Sequence, residues 1–330
     1  MLRLLLCSLG LLAPILALPI TKREIQGPVI TSDFPDPSII KVGDTWYAFG
    51  TQSVFDYTDI RVQLATSTDF NTWTVTGNDA MGTLGGWVDQ AQPLVWAPDV
   101  YQREDGSFIL YYSATTTTAG NGNFHCVGTA VSDNIEGPYN SNSDTPFACP
   151  TDQGGAIDAS AFKDDDGTRY VIYKIDGNAR GNGGVCGNTE EPIVSTPIMI
   201  QQVDSDWTTH IGDRIQILDR GEYDGPLIEG ASMVKKDGTY FLFFSSNCYS
   251  TPQYAESYAT SSSPTGGFVK AQQPLLVSGT FPGTFGPGHA DVAFDGVHML
   301  FHAYASEGDV GQRRAMYTAL LNIDGNIVTV

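Results

Sequence analysis

Residues 227–246 read LIEGASMVKKDGTYFLFFSS, and they repeat a phrase found earlier at residues 156–174, AIDASAFKDDDGTRYVIYK. Each copy has a carboxylate at the start of a short apolar run, which is Asp158 in the first copy and Glu229 in the second. An Asp-Gly turn and a strand rich in aromatic and β-branched residues then follow in both. Two such copies indicate that the chain is built from repeated units.

The turn-and-strand part of this phrase occurs five times. The copies begin about 60 residues apart, with one longer step between the third and the fourth. They are VGDTWYAFGT (42–51), DGSFILYYS (105–113), DGTRYVIYK (166–174), DGTYFLFFS (237–245) and DGVHMLFHA (295–303). A polar phrase follows each copy, the last being MYTALLNIDGN (316–326), and it predicts a third strand, a turn and a short outer strand. No segment shows the apolar spacing of a long amphipathic helix.

Five such units predict an all-β fold, a five-bladed β-propeller with four-stranded antiparallel blades, as a single domain over residues 24–330. The alternative is an all-β sandwich with long loops, which the regular spacing disfavours. The first strand of each propeller blade lines the central channel. The apolar runs before the five turns place these polar residues there: Asp36, Asp99, Asp158, Glu229 and His289. Because burying so many ionisable groups is costly, they predict one central site that binds a ligand or does chemistry.

Charge and targeting signals narrow the partners. The chain has 37 Asp and Glu against 17 Lys and Arg, and a net charge of −20 repels nucleic acid, whereas neutral sugars suit such a surface. Residues 1–17 read as a secretory signal peptide. The dibasic pair at 22–23 is either a second processing site, which would end a short propeptide at residue 23, or a plain charged N-terminus. No later run is long and apolar enough to span a bilayer. We expect a secreted, extracellular monomer without a membrane partner.

Four cysteines remain beyond the signal peptide, which outside the cell indicates two disulfides with three open connectivities. Proximity along the chain favours Cys126 with Cys149 and Cys186 with Cys248. A zinc site is not expected, because no CxxC spacing occurs.

Five motifs in order resemble glycoside hydrolase family 43, the five-bladed propellers that act on arabinan, arabinoxylan and xylan. They are FPDPSII with WYAFGT, WAPDV, IDASAFKDDDGTRY, IEGASMVKKDGTYFLFFS and GPGHADV. The resemblance covers about residues 28–330 and departs from the family at Ala159, where Pro is common.

The resemblance implies inversion of anomeric configuration, with Asp36 as general base and Glu229 as general acid. Asp158 would orient the acid and raise its pKa by like-charge repulsion. It also implies that Arg314 binds a sugar hydroxyl, and that His289 holds a water-coordinated cation such as calcium on the axis, while the chemistry itself needs no cofactor.

Three further residues are candidates from their positions alone. Phe34 and Trp96 would stack on a sugar face. Asp99 would either bind a sugar hydroxyl or hold blade two in place.

The substrate would be a plant cell-wall polysaccharide or oligosaccharide. We favour an exo-acting α-L-arabinofuranosidase. An endo-1,5-α-L-arabinanase, a β-xylosidase and, outside the enzymes, a sugar-binding propeller lectin stay open. The lectin is disfavoured because its sites usually repeat in each blade, whereas here the inner residues differ. The retaining invertase and fructanase families are disfavoured too, because their Arg-Asp-Pro and Glu-Cys motifs do not occur.

Overall fold

The computed structural model describes residues 25–117 and 124–330. The predicted signal peptide and propeptide lie outside these residues. In the described part of the chain, no helix is long and apolar enough to cross a membrane. Nearly all regular structure is β, in five sheets that follow one another along the chain and close into a ring. The predicted five-bladed propeller is therefore confirmed.

Each blade is a meander whose first strand lies at the axis. Blade one consists of β2 (Ser38–Val42), β3 (Thr45–Gly50), β4 (Gln63–Ser67) and β5 (Thr74–Val75). Blade two consists of β7 (Trp96–Gln102), β8 (Phe108–Thr115), β9 (His125–Ser132) and β10 (Tyr139–Ser141), with β6 (Met81–Thr83) added parallel to β10. Blade three consists of β11 (Ala156–Lys163), β12 (Arg169–Ile175), β13 (Ile198–Val203) and β14 (Ile215–Leu218).

The ring closes in blade five through the N-terminal strand. Blade four consists of β15 (Ile228–Lys236), β16 (Thr239–Ser246), β17 (Ala255–Ser261) and β18 (Val269–Lys270). Blade five consists of β19 (Phe285–Val292), β20 (His298–Tyr304), β21 (Ala315–Leu320) and β1 (Gln26–Ile30). The prediction that residues 316–326 supply its outer strand is wrong, because β1 pairs there and β22 (Asn322–Asp324) turns away to form a hairpin with β23 (Ile327–Thr329).

Packing between neighbouring blades explains the apolar phrases. Every residue of β8 is buried, and almost every residue of β16 is, because a second strand is covered on both faces by adjacent blades. Five apolar clusters result, one at each junction between blades. A closed ring of such junctions holds the axial strands at fixed positions around the channel.

Short 3₁₀ turns and two disulfides complete the described structure. The turns are Thr151–Gln153, Gly177–Arg180, Val185–Gly187, Glu222–Asp224 and Glu307–Asp309. The disulfides join Cys126 to Cys149 and Cys186 to Cys248, which confirms the favoured pairing. The second ties the loop after β12 to the loop after β16.

Candidate active site

A left-handed residue recurs at the axial end of every blade. The five residues and their φ angles are Asp36 (53°), Ala97 (42°), Asp158 (58°), Gly230 (61°) and His289 (49°). In blades two to five this residue coincides with a shift in register between the first two strands. Such a bulge re-aims side chains at the end of a strand, so the repeat places one special position per blade at the top of the channel.

The structure corrects the predicted alignment of the blades at two places. Glu229 comes one residue before Gly230, the left-handed residue of blade four, and Asp99 is displaced further. Ala97, and not Asp99, is the counterpart of Asp36 and Asp158. Asp99 lies two residues further along its strand, where its carboxylate accepts the Ala161 backbone N–H at 2.9 Å. Burial, reinforced by the charge of Asp291, raises the pKa of Asp99 well above 3.8. Asp99 therefore ties blade two to blade three beneath the site and is not brought to the pocket.

A cavity of about 630 Å³ opens above these bulges, and all five blades contribute to its wall. It brings together six predicted site residues, namely Asp36, Asp158, Glu229, Trp96, Arg314 and His289. Phe34 is not among them. Its side chain is 0% exposed in the core between blades one and five, and its ring packs against Gly50. A ring without exposed surface cannot stack on a sugar, so the proposed role of Phe34 is wrong.

Asp36 is held as an anion. Nη1 of Arg314 donates to its Oδ1 at 2.8 Å, and Nδ1 of His289 lies 3.3 Å from the same oxygen. Burial by itself would raise the pKa of Asp36, but the Arg314 guanidinium and the neighbouring His289 ring hold that pKa well below 3.8. Thr51 Oγ1 donates to the other oxygen at 2.6 Å. An ionised, fixed carboxylate of this kind can accept a proton from water.

Asp158 and Glu229 form an interacting pair on neighbouring blades. Oδ2 of Asp158 accepts the backbone N–H of Gly230, the residue after Glu229, at 3.1 Å. Burial raises the pKa of Asp158 to about 6, and the charge of Glu229 contributes to that rise. The pair therefore retains one proton up to about pH 6.

Glu229 itself is the more acidic member of the pair. Lys174 Nζ donates to its Oε2 at 2.9 Å, and the Tyr254 hydroxyl donates to its Oε1 at 2.9 Å. Burial opposes ionisation, but the charge of Lys174 and these hydrogen bonds lower the pKa of Glu229 below 4.5. The expected direction is thus reversed, because the raised pKa belongs to Asp158 and not to Glu229.

The sequence matches the family described as Glycosyl hydrolases family 43 over residues 25–324. The chain belongs to glycoside hydrolase family 43. The resemblance drawn from the five motifs is thereby confirmed, and the protein is a glycoside hydrolase.

Several known proteins are similar to this family 43 chain. A β-D-galactofuranosidase of Aspergillus niger is 26% identical over 288 residues, which is 84% of this chain and 75% of that protein. An extracellular endo-α-(1→5)-L-arabinanase of Thermotoga petrophila is 28% identical over 48% of this chain and 39% of its own length. A solved thermostable family-43 glycoside hydrolase matches with a TM-score of 0.72 at 22% identity, over 91% of this chain and 93% of that one.

His289 is the residue that the family resemblance assigns to a cation. In residues 25–117 and 124–330, no group of three or more His, Cys, Asp or Glu side chains is arranged to hold a metal ion. A hard cation beside His289 would therefore keep water in most of its coordination positions. The axial calcium stays a prediction, and no step below depends on it.

Sequence reasoning missed several residues that line the pocket of this family 43 enzyme. Lys174 lies near the end of the second strand of blade three, and Asp176 and Asn178 follow that strand. Phe55 and Tyr249 contribute aromatic rings. Lys174 carried a signal, because it ends the repeated phrase at a position where two other copies have Ser. The others lie in loops that no repeat predicts.

Proposed function

We propose that the protein is a secreted, inverting, exo-acting α-L-arabinofuranosidase that cleaves arabinan or arabinoxylan. In this proposal Asp36 is the general base and Glu229 is the general acid. Asp158 orients the acid and supplies its proton. The observation that carries the proposal is the pocket itself. It holds one carboxylate whose pKa is well below 3.8 and, from other blades, a carboxylate pair that retains a proton.

Asp36 suits the base because it is ionised throughout the pH range in which the pair retains its proton. Inversion requires a water molecule between this carboxylate and the anomeric carbon. Asp36 takes a proton from that water as it attacks, while the glycosidic bond breaks on the opposite face of the sugar. Arg314 and Thr51 fix both oxygens of Asp36, so its orientation does not change with the substrate.

Glu229 suits the acid because its partner Asp158 holds the proton of the pair before the sugar binds. A neutral sugar against Glu229 removes water from the carboxylate, which favours its protonated form. The proton of the pair then resides on Glu229 and passes to the leaving-group oxygen. Asp158 becomes ionised and is stabilised by the Gly230 N–H.

Exo action is favoured by a wall to which all five blades contribute, since such a pocket receives a chain end more readily than the middle of a chain. Trp96 lines that wall and is proposed as a stacking surface for sugar, with His125 covering its other face at 3.4 Å between ring centroids. Arg314 is proposed to bind a sugar hydroxyl beside Asp36.

A β-D-galactofuranosidase activity is the second candidate. It is favoured by the relative of that name, which is similar over 84% of the chain. An α-L-arabinofuranosyl ring and a β-D-galactofuranosyl ring share their ring configuration and differ by one hydroxylated carbon outside the ring. Secretion is supported by the two disulfides and by the extracellular arabinanase among the relatives.

The test is an activity screen on aryl α-L-arabinofuranoside, aryl β-D-galactofuranoside, aryl β-D-xyloside, linear arabinan and arabinoxylan. We expect the arabinofuranoside to be cleaved fastest and both Asp36→Asn and Glu229→Gln to lose about 10²–10⁴-fold in kcat. Proton NMR of the first sugar released should show the inverted anomer. A retained anomer would exclude Asp36 as a base acting through water.

The assignment of the acid has its own test. The loss in Glu229→Gln should shrink for a dinitrophenyl glycoside, whose leaving group needs no proton. If Asp158→Asn showed that dependence and Glu229→Gln did not, the two roles would be exchanged.

A further inference from the structure

The residue at the axial end of the second strand has an equivalent in each of the five blades. Pairing with the first strand defines it, since Ser113 pairs with Trp96, Ser245 with Glu229 and His302 with Gly288. In four blades this residue accepts the backbone N–H of the left-handed residue of the next blade. The contacts are Ala97 N to Thr51 Oγ1 (2.8 Å), Asp158 N to Ser113 Oγ (3.1 Å), His289 N to Ser245 Oγ (2.6 Å) and Asp36 N to His302 Nδ1 (3.1 Å).

Blade three differs from the other four. Its residue at this position is Lys174, which pairs with Ile157 of the first strand. An ammonium group has donors only, so it cannot accept the N–H of Gly230. That N–H is donated to Asp158 Oδ2 instead. The one position that departs from the repeat therefore contacts Glu229, and the N–H that it cannot accept is bound by Asp158.

Lys174 lies between two carboxylates inside the pocket wall. Its side chain is 1% exposed, and Nζ lies 2.9 Å from Glu229 Oε2 and 3.0 Å from Asp176 Oδ1. A buried ammonium is stable only when it is paired, and Asp176 supplies the second anion that keeps Lys174 charged. Lys174 thus has a fixed position from which it contacts Glu229.

We propose that Lys174 is a positioning residue for Glu229, fixing the carboxylate of the acid by contact with Oε2 and leaving the Gly230 N–H to Asp158. This inference rests on the proposed function. It deepens that function by naming what separates the roles of the two carboxylates. Ser113 and Ser245, the counterparts in blades two and four, neither contact Glu229 Oε2 nor leave a backbone N–H to Asp158.

The pKa of Glu229 depends on the groups around its carboxylate. The groups that face Glu229 are Lys174 from β12, the Tyr254 hydroxyl from the segment before β17, Asp158 from β11 and His289 from β19. Of these, Lys174 contributes most to keeping Glu229 ionised. Removing its charge should make Glu229 a weaker acid that keeps its proton to higher pH.

The experiment compares Lys174→Met with Lys174→Arg, using the purified enzyme and two arabinofuranosides. One carries a 2,4-dinitrophenyl leaving group, and the other carries an alkyl leaving group that requires protonation. For Lys174→Met we expect kcat on the alkyl glycoside to fall about 10- to 100-fold with little change in KM, and kcat on the dinitrophenyl glycoside to fall less than about 3-fold. The basic limb of the pH profile should move up by about 1 unit, and Lys174→Arg should restore much of the rate.

Lys235→Met is the matched control. Lys235 also pairs with two carboxylates, Asp164 and Asp165, but at the opposite end of β15 from Glu229 and outside the pocket wall, so its loss should leave both rates and the pH profile unchanged. If Lys174→Met does not fold by circular dichroism, Lys174→Ser replaces it, since Ser113 and Ser245 occupy the same position.

Equal losses on both glycosides, or an unmoved basic limb, would overturn the inference and assign Lys174 to sugar binding or to the fold. Glu229→Gln, measured on the same glycosides, separates this failure from failure of the proposed function. Wild-type rates in Glu229→Gln on the alkyl glycoside would contradict the proposed function itself.

Discussion

Replacing Glu256 by Gln should stabilise the enzyme, and more so at pH 8 than at pH 4.5. Glu256 is 0% exposed behind the axial strand of blade five. Its Oε2 accepts the Ser245 hydroxyl at 2.7 Å and the Ala290 N–H at 3.2 Å, and Oε1 has no hydrogen-bond partner among the described residues. Burial raises the pKa of Glu256 from 4.5 to about 8. A Gln side chain has the same shape and offers the same acceptor to both donors.

The linkage between proton binding and folding gives the sign and the size of this stabilisation. In the unfolded chain Glu256 loses its proton near pH 4.5, whereas in the folded protein it keeps the proton to about pH 8. The folded state binds more protons across that window, so the free energy of unfolding falls as pH rises through it. A shift from 4.5 to about 8 corresponds to about 5 kcal/mol at 1.36 kcal/mol per pH unit. Gln does not titrate, so the variant avoids this loss.

Urea denaturation at pH 4.5, 6 and 8 measures the effect with the disulfides intact. The free energy of unfolding of Glu256→Gln minus that of the wild type should grow steadily with pH, by about 4 kcal/mol between pH 4.5 and pH 8. Glu136→Gln, an exposed residue between β9 and β10, is the control and should follow the wild type at every pH. A difference that stayed constant between pH 4.5 and pH 8 would refute the argument, because Glu256 would then be ionised in the folded protein.

Two other changes test how the pocket is built. Phe34→Ala should lower the free energy of unfolding by about 3–5 kcal/mol, because it deletes a buried ring from the core. The KM of the folded variant should stay close to that of the wild type. A large rise in KM without loss of stability would show that Phe34 contacts the substrate. Replacing Cys186 and Cys248 together by Ser should cost about 2–4 kcal/mol in thermal or urea unfolding, since the cross-link closes a segment with a sequence separation of 62. Because Cys186 lines the pocket, KM should rise as well, whereas an unchanged KM would show that the loop holds its place without the bond.

Local sequence patterns predicted most of the fold. The turn-and-strand phrase recurs because each blade must bury both faces of its second strand, so every copy contains an apolar strand. The placement of Asp36, Asp158 and Glu229 in one pocket followed from the same repeat, whereas the disulfide pairing followed from proximity along the chain. A repeat that converges on an axis brings distant residues together whatever the details of its loops.

By itself, then, the sequence determined the ring of five sheets, the family and the three carboxylates, because these depend on periodic burial that each blade satisfies on its own. Tertiary structure alone decided the remainder. A bulge placed Ala97 at the axial position and moved Asp99 two residues away from it, and strand pairing between the chain ends used β1 to close blade five. Contacts between blades buried Phe34 and set Lys174 against Glu229. Bulge position, ring closure and pKa arise from residues far apart in the chain, so no local pattern specifies them.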